Sequence, residues 1–346
     1  MGKTNVLDAI YYLCMTRSYF GLRDRHLVRH NQSFFRLEAQ VKQGAQTRQV
    51  VAKVAPGQRK EFELDGTIVP KRSDYIGTFP VVIVAPADTQ LAYEGSEVRR
   101  KLLDAALAQT DKQYLAQLVQ FARLLKQRNS LLRQLANHPK PDLELLHAID
   151  YQLHGPSKFI HHRRKQYIEA LNPLLQYYYK QVAPQDEQVS CHYKSQLLYS
   201  DIETLLARKR SQDLALGYST AGIQRDDLDF RIDGRPLKQF ASQGQLKSFI
   251  LALKLAQYQL LCTQRHLYSL LLLDDLFDKL DEHRVTQLLC LLLSQEFGQV
   301  FITDTDHTRV PAIIRNLNHT FVQYEILQGT ARPIATSSAP NTTEDE

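Results

Sequence analysis

The sequence predicts an α/β fold, and three stretches carry that prediction. Leu270 to Leu273 is a short, unbroken apolar run followed by two acids, Asp274 and Asp275. Such runs are typical of a central strand in a parallel sheet that is covered by helices on both faces. Phe34 to Val54 alternates between apolar and polar residues, which predicts antiparallel strands. Val6 to Cys14 has the apolar spacing of an amphipathic helix.

The two acids stand where a functional site is expected. Ligands bind in open α/β sheets at the carboxyl ends of the strands, and hard oxygen ligands suit Mg²⁺. The pattern is that of a Walker B strand, in which Asp274 supports Mg²⁺ and Asp275 orients the attacking water. An acidic turn after a core strand would show the same residues, so the run and its two acids alone leave both interpretations open.

A second motif lies one predicted helix upstream of these acids. Ser242, Gln243 and Gly244 precede a run whose apolar residues have helical spacing. A serine there is a natural N-cap, and a helix N-terminus attracts anions. An ordinary capped core helix would look alike, but the order of the parts is informative. Ser-Gln-Gly-Gln, a helix and then the Leu-Leu-Leu-Leu-Asp-Asp run resemble the signature and Walker B block of ABC-type ATPases, in which Asp281 would lie in the D-loop.

The first residues resemble the end of a P-loop. Gly2, Lys3, Thr4 and Asn5 lead directly into the predicted amphipathic helix. In a complete P-loop the lysine reaches the β- and γ-phosphates and the threonine hydroxyl binds Mg²⁺. The glycine-rich first part and the strand before it are absent from this sequence. We therefore expect a Walker A remnant, a missing N-terminal segment and an incomplete nucleotide site in the chain as written.

Composition adds only broad limits. The 346 residues are 43% hydrophobic with a formal net charge of +6, which permits an anionic partner such as nucleic acid without establishing one. The four cysteines have no metal-ligand spacing, which predicts free, mostly buried thiols in a reducing cytosol. No apolar run approaches the length of a membrane span, so no membrane partner is expected.

The chain order predicts an ATPase head with a helical insertion and no long coiled coil. The expected lobes are an N-terminal part of the ATPase lobe (1–92), a helical lobe (93–215), a C-terminal part of the ATPase lobe (216–334) and a disordered tail (335–346). Two long helical stretches are expected within the insertion, one to about Ala136 and one from Asp142 to Val182, with an interruption near Gly155 and Pro156.

Further motifs narrow the resemblance to one family. Gly222-x-x-Arg225-Asp226-Asp227-Leu228, a hairpin with Asp233-Gly234 at its turn, and the two blocks above occur in the order found in RecF proteins. The chain is therefore identified as a member of the RecF family of bacterial ABC-type DNA-repair ATPases. Two features depart from the pattern: Gln224 replaces a common histidine, and Thr303-Asp304-Thr305 stands in place of the switch histidine of transporters, which leaves the γ-phosphate sensor open.

The resemblance implies a mechanism and partners. It implies ATP and Mg²⁺ as cofactors, a slow DNA-stimulated ATPase, and a homodimer in which Lys3, Thr4 and Asp274 of one subunit face Ser242 and Gly244 of the other. It also implies binding to double-stranded DNA and to junctions of single- and double-stranded DNA in the bacterial cytoplasm. RecR and RecO are expected partners, and RecA would be assisted indirectly at gaps.

Two questions stay open from the residues alone. Arg99, Arg100 and Lys101 are candidate DNA contacts, but a solvated or ion-paired role for these residues is at least as plausible on charge pattern. The missing glycine-rich loop also leaves two alternatives to a working ATPase of this family. These are a scaffold that has lost nucleotide binding and another DNA-repair ATPase of the SMC or ABC type.

Overall fold

A computed structural model describes residues 2–136, 142–183, 185–265, 268–277, 282–293 and 297–337. These residues divide into two compact units. Unit 1 comprises residues 1–88, 178–184 and 251–346, and unit 2 comprises residues 89–177 and 185–250. Residues 216–250 therefore cluster with unit 2, although they were expected to belong to the C-terminal part of the ATPase lobe. The assignment of functional lobes stays a prediction.

The helices of the described residues are α1 (Lys3–Met15), α2 (Asp24–Leu27), α3 (Arg72–Tyr75), α4 (Gln90–Tyr93), α5 (Ser96–Thr110), α6 (Lys112–Leu135), α7 (Glu144–Val182), α8 (Ile202–Leu216), α9 (Leu237–Phe240), α10 (Gln243–Arg265), α11 (Glu282–Leu293) and α12 (Arg309–Asn316). The strands are β1 (Phe35–Gln43), β2 (Gln46–Val54), β3 (Glu61–Leu64), β4 (Thr67–Ile68), β5 (Val81–Val84), β6 (Val189–Lys194), β7 (Asp227–Ile232), β8 (Arg235–Pro236), β9 (Leu270–Asp274), β10 (Val300–Thr303), β11 (Phe321–Leu327) and β12 (Thr330–Ser337).

A parallel sheet with the order β10-β9-β5 forms the centre of unit 1. Leu271, Leu272 and Leu273 on β9 are completely buried, as expected for a middle strand whose two faces are both covered. Helix α1 contacts all three strands and begins near the edge where they end. The prediction of a buried apolar strand before Asp274 is confirmed.

Antiparallel strands make up the rest of the β-structure of unit 1. Strands β1 to β4 form one sheet in sequence order, and β11 pairs with β12. The turn between β3 and β4 has Asp65 at φ 53° and Gly66 at φ 78°. Two successive residues with positive φ match the twist of a two-residue hairpin, which is why Asp-Gly is favoured there. The antiparallel strands predicted between Phe34 and Val54 are confirmed.

Unit 2 combines helices with a small antiparallel sheet of order β6-β7-β8. Its hairpin turns at Asp233 and Gly234, which again have positive φ. A buried ion-pair cluster lies among its helices: the Arg128 guanidinium is completely buried and contacts the carboxylates of Asp150 and Asp213 at 2.6 Å each. A buried arginine is stable only when its charge is paired in this way.

One prediction of helix geometry is wrong. Helix α7 runs without interruption through Gly155 and Pro156. An internal proline removes one helical hydrogen bond and costs about 3 kcal/mol. Leu153, Pro156 and Ile160 lie on one buried face of the helix, and burying each such side chain returns roughly 1.5–3 kcal/mol. Burial therefore outweighs the local helix-breaking tendency.

The thiols match the prediction in part. Cys14 and Cys191 are buried free thiols, whereas Cys262 is half-buried and Cys290 is exposed. Burial raises the pKa of the Cys14 thiol to about 12. Among the helices of the described residues, none combines the length and apolar character needed to cross a membrane.

Candidate nucleotide site

The site in unit 1 forms where three segments meet at one edge of the parallel sheet. Strands β9 and β10 run in the same direction, and Asp274 is paired in register with Thr303. The first turn of α1 lies at the same edge, because the Thr4 hydroxyl donates a hydrogen bond to Asp274 Oδ1 over 3.0 Å. The structure thus brings together the Walker A and Walker B candidates, which are far apart in sequence.

The first residues of α1 present a positive end to this edge. Gly2 has φ 114° and caps the helix, and its carbonyl accepts a hydrogen bond from the Val6 amide over 3.1 Å. The free amides and the macrodipole of a helix N-terminus favour anions. The Lys3 ammonium donates to the backbone carbonyl of Asp304 over 2.6 Å. Thr4 and Asn5 are exposed. The arrangement is suited to phosphate.

The acidic pair has an unusual geometry. The Asp274 side chain is buried and its Oδ1 accepts two hydroxyl hydrogen bonds, one from Thr4 and one from Thr303 over 2.8 Å. Asp275 adopts φ 47°, in the left-handed region that disfavours residues with a Cβ. Its amide donates to the Thr303 hydroxyl over 3.0 Å. Strained backbone of this kind clusters at functional sites.

The oxygens at this edge fit Mg²⁺ and a nucleotide. A threonine hydroxyl and a carboxylate lie 3.0 Å apart, and both are hard oxygen ligands of the kind Mg²⁺ prefers. Lys3 and the α1 N-terminus supply the positive charge that a phosphate chain requires. Lys3, Thr4 and Asp274 could therefore hold a Mg²⁺-nucleotide, and Asp275 is the neighbouring acid that could orient a water.

The signature residues lie in unit 2, at the start of α10. Ser242 Oγ accepts a hydrogen bond from the Gln245 amide over 3.2 Å, and the Gln245 side-chain oxygen accepts one from the Ser242 amide over 2.6 Å. These two reciprocal bonds form a capping box. Ser242, Gln243 and Gly244 are all exposed. The predicted N-cap is present, and the helix end is open to a ligand.

Asp281 lies outside the described residues. So does the end of the predicted tail, residues 338–346.

The candidate DNA contacts are mostly engaged within unit 2. The Arg99 guanidinium makes a bidentate contact with Asp227, over 2.6 and 3.0 Å. Arg100 donates to the Ser96 hydroxyl and to the Asp226 carbonyl, over 2.6 and 2.7 Å. The Lys101 side chain is 64% exposed and pairs with Glu97 one turn away. The geometry gives Arg99 and Arg100 structural roles, and DNA contact by any of the three stays a prediction.

Burial also shifts pKa values in this region. Desolvation, followed by the charge of the neighbouring Arg164, lowers the pKa of Arg100. The Arg164 guanidinium is itself buried and pairs with Asp226 over 2.7 Å. Desolvation raises the pKa of Asp226. Asp226 of the Arg-Asp-Asp motif at 225–227 therefore belongs to a buried charge network with Arg164.

Sequence reasoning missed two groups near the site. Thr303 was considered only as a replacement for a switch histidine, although it ends an apolar strand beside Asp274. The second group is buried in unit 1: Lys254 on α10 contacts Asp88 over 3.1 Å and the Tyr19 hydroxyl over 2.7 Å. A single lysine within an apolar stretch of α10 was the available signal. Desolvation, and then the Asp88 carboxylate, raises the pKa of Tyr19.

Comparisons with known proteins identify the family and the fold. No family model matches the chain. The DNA replication and repair protein RecF of Flavobacterium johnsoniae is 41% identical over 321 residues, which are 93% of this chain and 89% of that protein. A solved structure of the recombination mediator protein RecF with ATP, in the RecFOR pathway, superimposes with a TM-score of 0.87 at 25% identity, covering 96% of this chain and 89% of that one.

A more distant structure supports the fold class alone. The Smc head domain of Pyrococcus furiosus, solved with an extended coiled coil and the C-terminal domain of ScpA, matches with a TM-score of 0.50 at 14% identity, over 97% of this chain and 87% of that one. The predicted ABC-type head fold is thus confirmed, and so is the family resemblance. The chain belongs to the RecF family of DNA replication and repair proteins.

Proposed function

We propose that this chain is an ATP-dependent DNA-binding protein of DNA replication and recombinational repair, with a slow, DNA-stimulated ATPase activity. One observation carries the proposal: the Thr4 hydroxyl lies 3.0 Å from the Asp274 carboxylate at the carboxyl end of β9. This contact assembles the two halves of a Mg²⁺-nucleotide site from distant parts of the chain. The ATP named for the solved RecF structure agrees with that chemistry.

Each residue at the sheet edge has a proposed task. Lys3 exchanges the Asp304 carbonyl, now 2.6 Å away, for phosphate oxygens. Thr4 and Asp274 hold Mg²⁺ through a hydroxyl and a carboxylate oxygen. Asp275 orients the attacking water with its carboxylate. Bound ATP with Mg²⁺ supplies a phosphoanhydride bond and a metal charge that neutralises the developing negative charge during its cleavage.

The exposed signature residues complete the site from a second subunit. We assign Ser242 and Gly244 to contacts with the γ-phosphate held by the partner chain, with Gln243 and Asn5 beside the nucleotide. Apart from its chain neighbours and its own helix backbone, the nearest described atom to an added Cβ on Gly244 would be Ser242 Oγ at 4.0 Å, so the Gly244 backbone can be approached closely. Because half of the ligands come from each protomer, the homodimer would form with nucleotide and separate after hydrolysis.

The dimer would bind DNA through lysine and arginine contacts to phosphates, which makes binding sensitive to salt. Double-stranded DNA and junctions with single strands are the proposed substrates, and Lys101 is the most accessible of the three candidate contacts. The RecFOR pathway named for the solved relatives supports RecR and RecO as partners. Assistance to RecA at single-strand gaps would follow indirectly.

Equilibrium binding of a fluorescent ATP analogue to the full-length protein tests the proposal. Lys3→Ala should abolish binding, because it removes the ammonium that we assign to the phosphate oxygens and that now contacts the Asp304 carbonyl. Lys42→Ala, an exposed lysine on β1, is the matched control and should bind like the unmodified protein. If the unmodified protein binds no nucleotide, or if Lys3→Ala binds equally well, the proposed nucleotide site is wrong.

A further inference from the structure

We infer that Thr303 is a positioning residue for the magnesium site, because its single hydroxyl orients the Asp274 carboxylate and holds the Asp275 backbone at the same time. The inference rests on the proposed function and adds a residue to it. It differs from a γ-phosphate sensor, since Thr303 acts on the two acids rather than on the nucleotide.

The hydrogen bonds around Thr303 have a defined direction. Its Oγ1 donates to Asp274 Oδ1 over 2.8 Å and accepts from the Asp275 amide over 3.0 Å. A hydroxyl has one proton and two lone pairs, and an ionised carboxylate only accepts. The proton must therefore lie toward Asp274, which turns a lone pair toward the Asp275 N–H. Both bonds are consistent with one rotamer of one side chain.

The two hydrogen bonds of Thr303 hold the two acids of the proposed magnesium site. The Thr4 hydroxyl also donates to Oδ1, so two hydroxyls fix the Asp274 carboxylate through the same oxygen. Asp275 has φ 47°, and a residue with a Cβ stays in that region only where surrounding contacts hold it. The bond from its amide to Thr303 is such a contact. Thr303 thereby orients the Asp274 carboxylate and holds the backbone from which the Asp275 carboxylate projects.

Substitutions at Thr303 distinguish the effect of its hydrogen bonds from the effect of its side-chain volume. Thr303→Val keeps the shape of the side chain and removes both hydrogen bonds, whereas Thr303→Ser keeps the hydroxyl. Thr47→Val, at an exposed position on β2, controls for the same chemical change on another strand of unit 1. Loss of a group that orients a metal ligand typically weakens metal affinity about 10- to 100-fold.

The first experiment measures the affinity of a fluorescent ATP analogue with and without Mg²⁺. In Thr303→Val, the gain in affinity that Mg²⁺ provides should fall by about tenfold or more, while Mg²⁺-free affinity stays within about twofold. Thr303→Ser and Thr47→Val should keep the gain of the unmodified protein. The inference would be overturned if Mg²⁺ raised the nucleotide affinity of Thr303→Val as much as that of the unmodified protein. It would also be overturned if Thr303→Val lost as much affinity without Mg²⁺ as with it.

A second experiment does not depend on nucleotide. A crystal structure of nucleotide-free Thr303→Val should show Asp275 outside the left-handed region, and the Asp274 carboxylate rotated away from Thr4. If both acids keep their geometry without the hydroxyl, Thr303 does not position them. Failure of the unmodified protein to bind any nucleotide would instead refute the proposed function, so the two failures are distinguishable.

Discussion

Substitutions at Ser242 separate helix capping from contact with nucleotide. Ser242→Ala removes the acceptor of the Gln245 amide but leaves the reciprocal bond from the Ser242 amide. Ser242→Asp keeps an acceptor at the cap and adds a negative charge. The two variants should therefore have opposite effects on the helix, and both should weaken an ATP-dependent dimer.

The magnitudes follow from the geometry of the cap. Loss of an N-cap hydroxyl typically costs about 1 kcal/mol of helix stability, within a range of about 0.5–2 kcal/mol. Because the hydrogen bond from the Gln245 amide is 3.2 Å long and Ser242 is exposed, we expect a cost in the lower half of that range, about 0.5–1 kcal/mol. An acid at a helix N-terminus contributes about 0.3–1 kcal/mol in the favourable direction. Against a phosphate charge about 4 Å away, however, it would be repelled by about 4 kcal/mol at an effective dielectric constant of 20.

Two measurements report these effects separately. In Ser242→Ala, hydrogen exchange of the Gln245 amide should be about two- to fivefold faster than in the unmodified protein, which corresponds to about 0.5–1 kcal/mol. In Ser242→Asp, exchange of the same amide should be no faster than in the unmodified protein. Sedimentation with ATP and Mg²⁺ should show dimerisation at least about a thousandfold weaker in Ser242→Asp, because each nucleotide site of the dimer loses the equivalent of about 4 kcal/mol. An aspartate variant that dimerises like the unmodified protein would refute the placement of Ser242 against the nucleotide.

Three other outcomes are expected. Asp275→Asn should bind ATP but hydrolyse it at least about a hundredfold more slowly, and sedimentation should then show a persistent dimer; turnover at the unmodified rate would contradict the role of this carboxylate. Arg99→Gln should lower the free energy of unfolding by about 2–4 kcal/mol because it leaves Asp227 without its bidentate partner, whereas Lys101→Gln should leave stability unchanged and weaken duplex binding with a shallower salt dependence. Hydrogen bonds from the amide and then the hydroxyl of Thr308 lower the pKa of Asp306 from 3.8 to about 2, so its stabilising contribution is present above pH 3.8 and is lost as the pH falls toward 2; a carboxyl ¹³C titration midpoint near 4 would contradict this.

The sequence was sufficient for the parallel sheet because burial on both faces leaves a clear pattern. The apolar run Leu270 to Leu273 carried this prediction together with the two acids after it, a combination that is typical of a central strand. The hairpin turn at Asp233 could also be predicted from the sequence, since two successive residues with positive φ favour Asp-Gly or a close equivalent. In both cases the pattern of neighbouring residues was enough to predict the local structure.

Long-range packing decided what local rules missed. Pro156 predicts a helix break, but its buried face keeps α7 continuous. From the sequence, Arg99 is a candidate DNA contact like Lys101. In the structure it pairs with Asp227, which is distant in sequence. The role inferred for Thr303 depends on its register opposite Asp274, and register between strands far apart in sequence cannot be read from either strand alone.

Sedimentation of the full-length protein with and without ATP, Mg²⁺ and short duplex DNA tests the central claim most directly. The account predicts a monomer without nucleotide, a dimer with ATP and Mg²⁺, and DNA that sediments only with the dimer; Lys3→Ala should remain monomeric throughout. DNA binding by a monomer that ignores ATP, or a dimer equally stable without nucleotide, would contradict it.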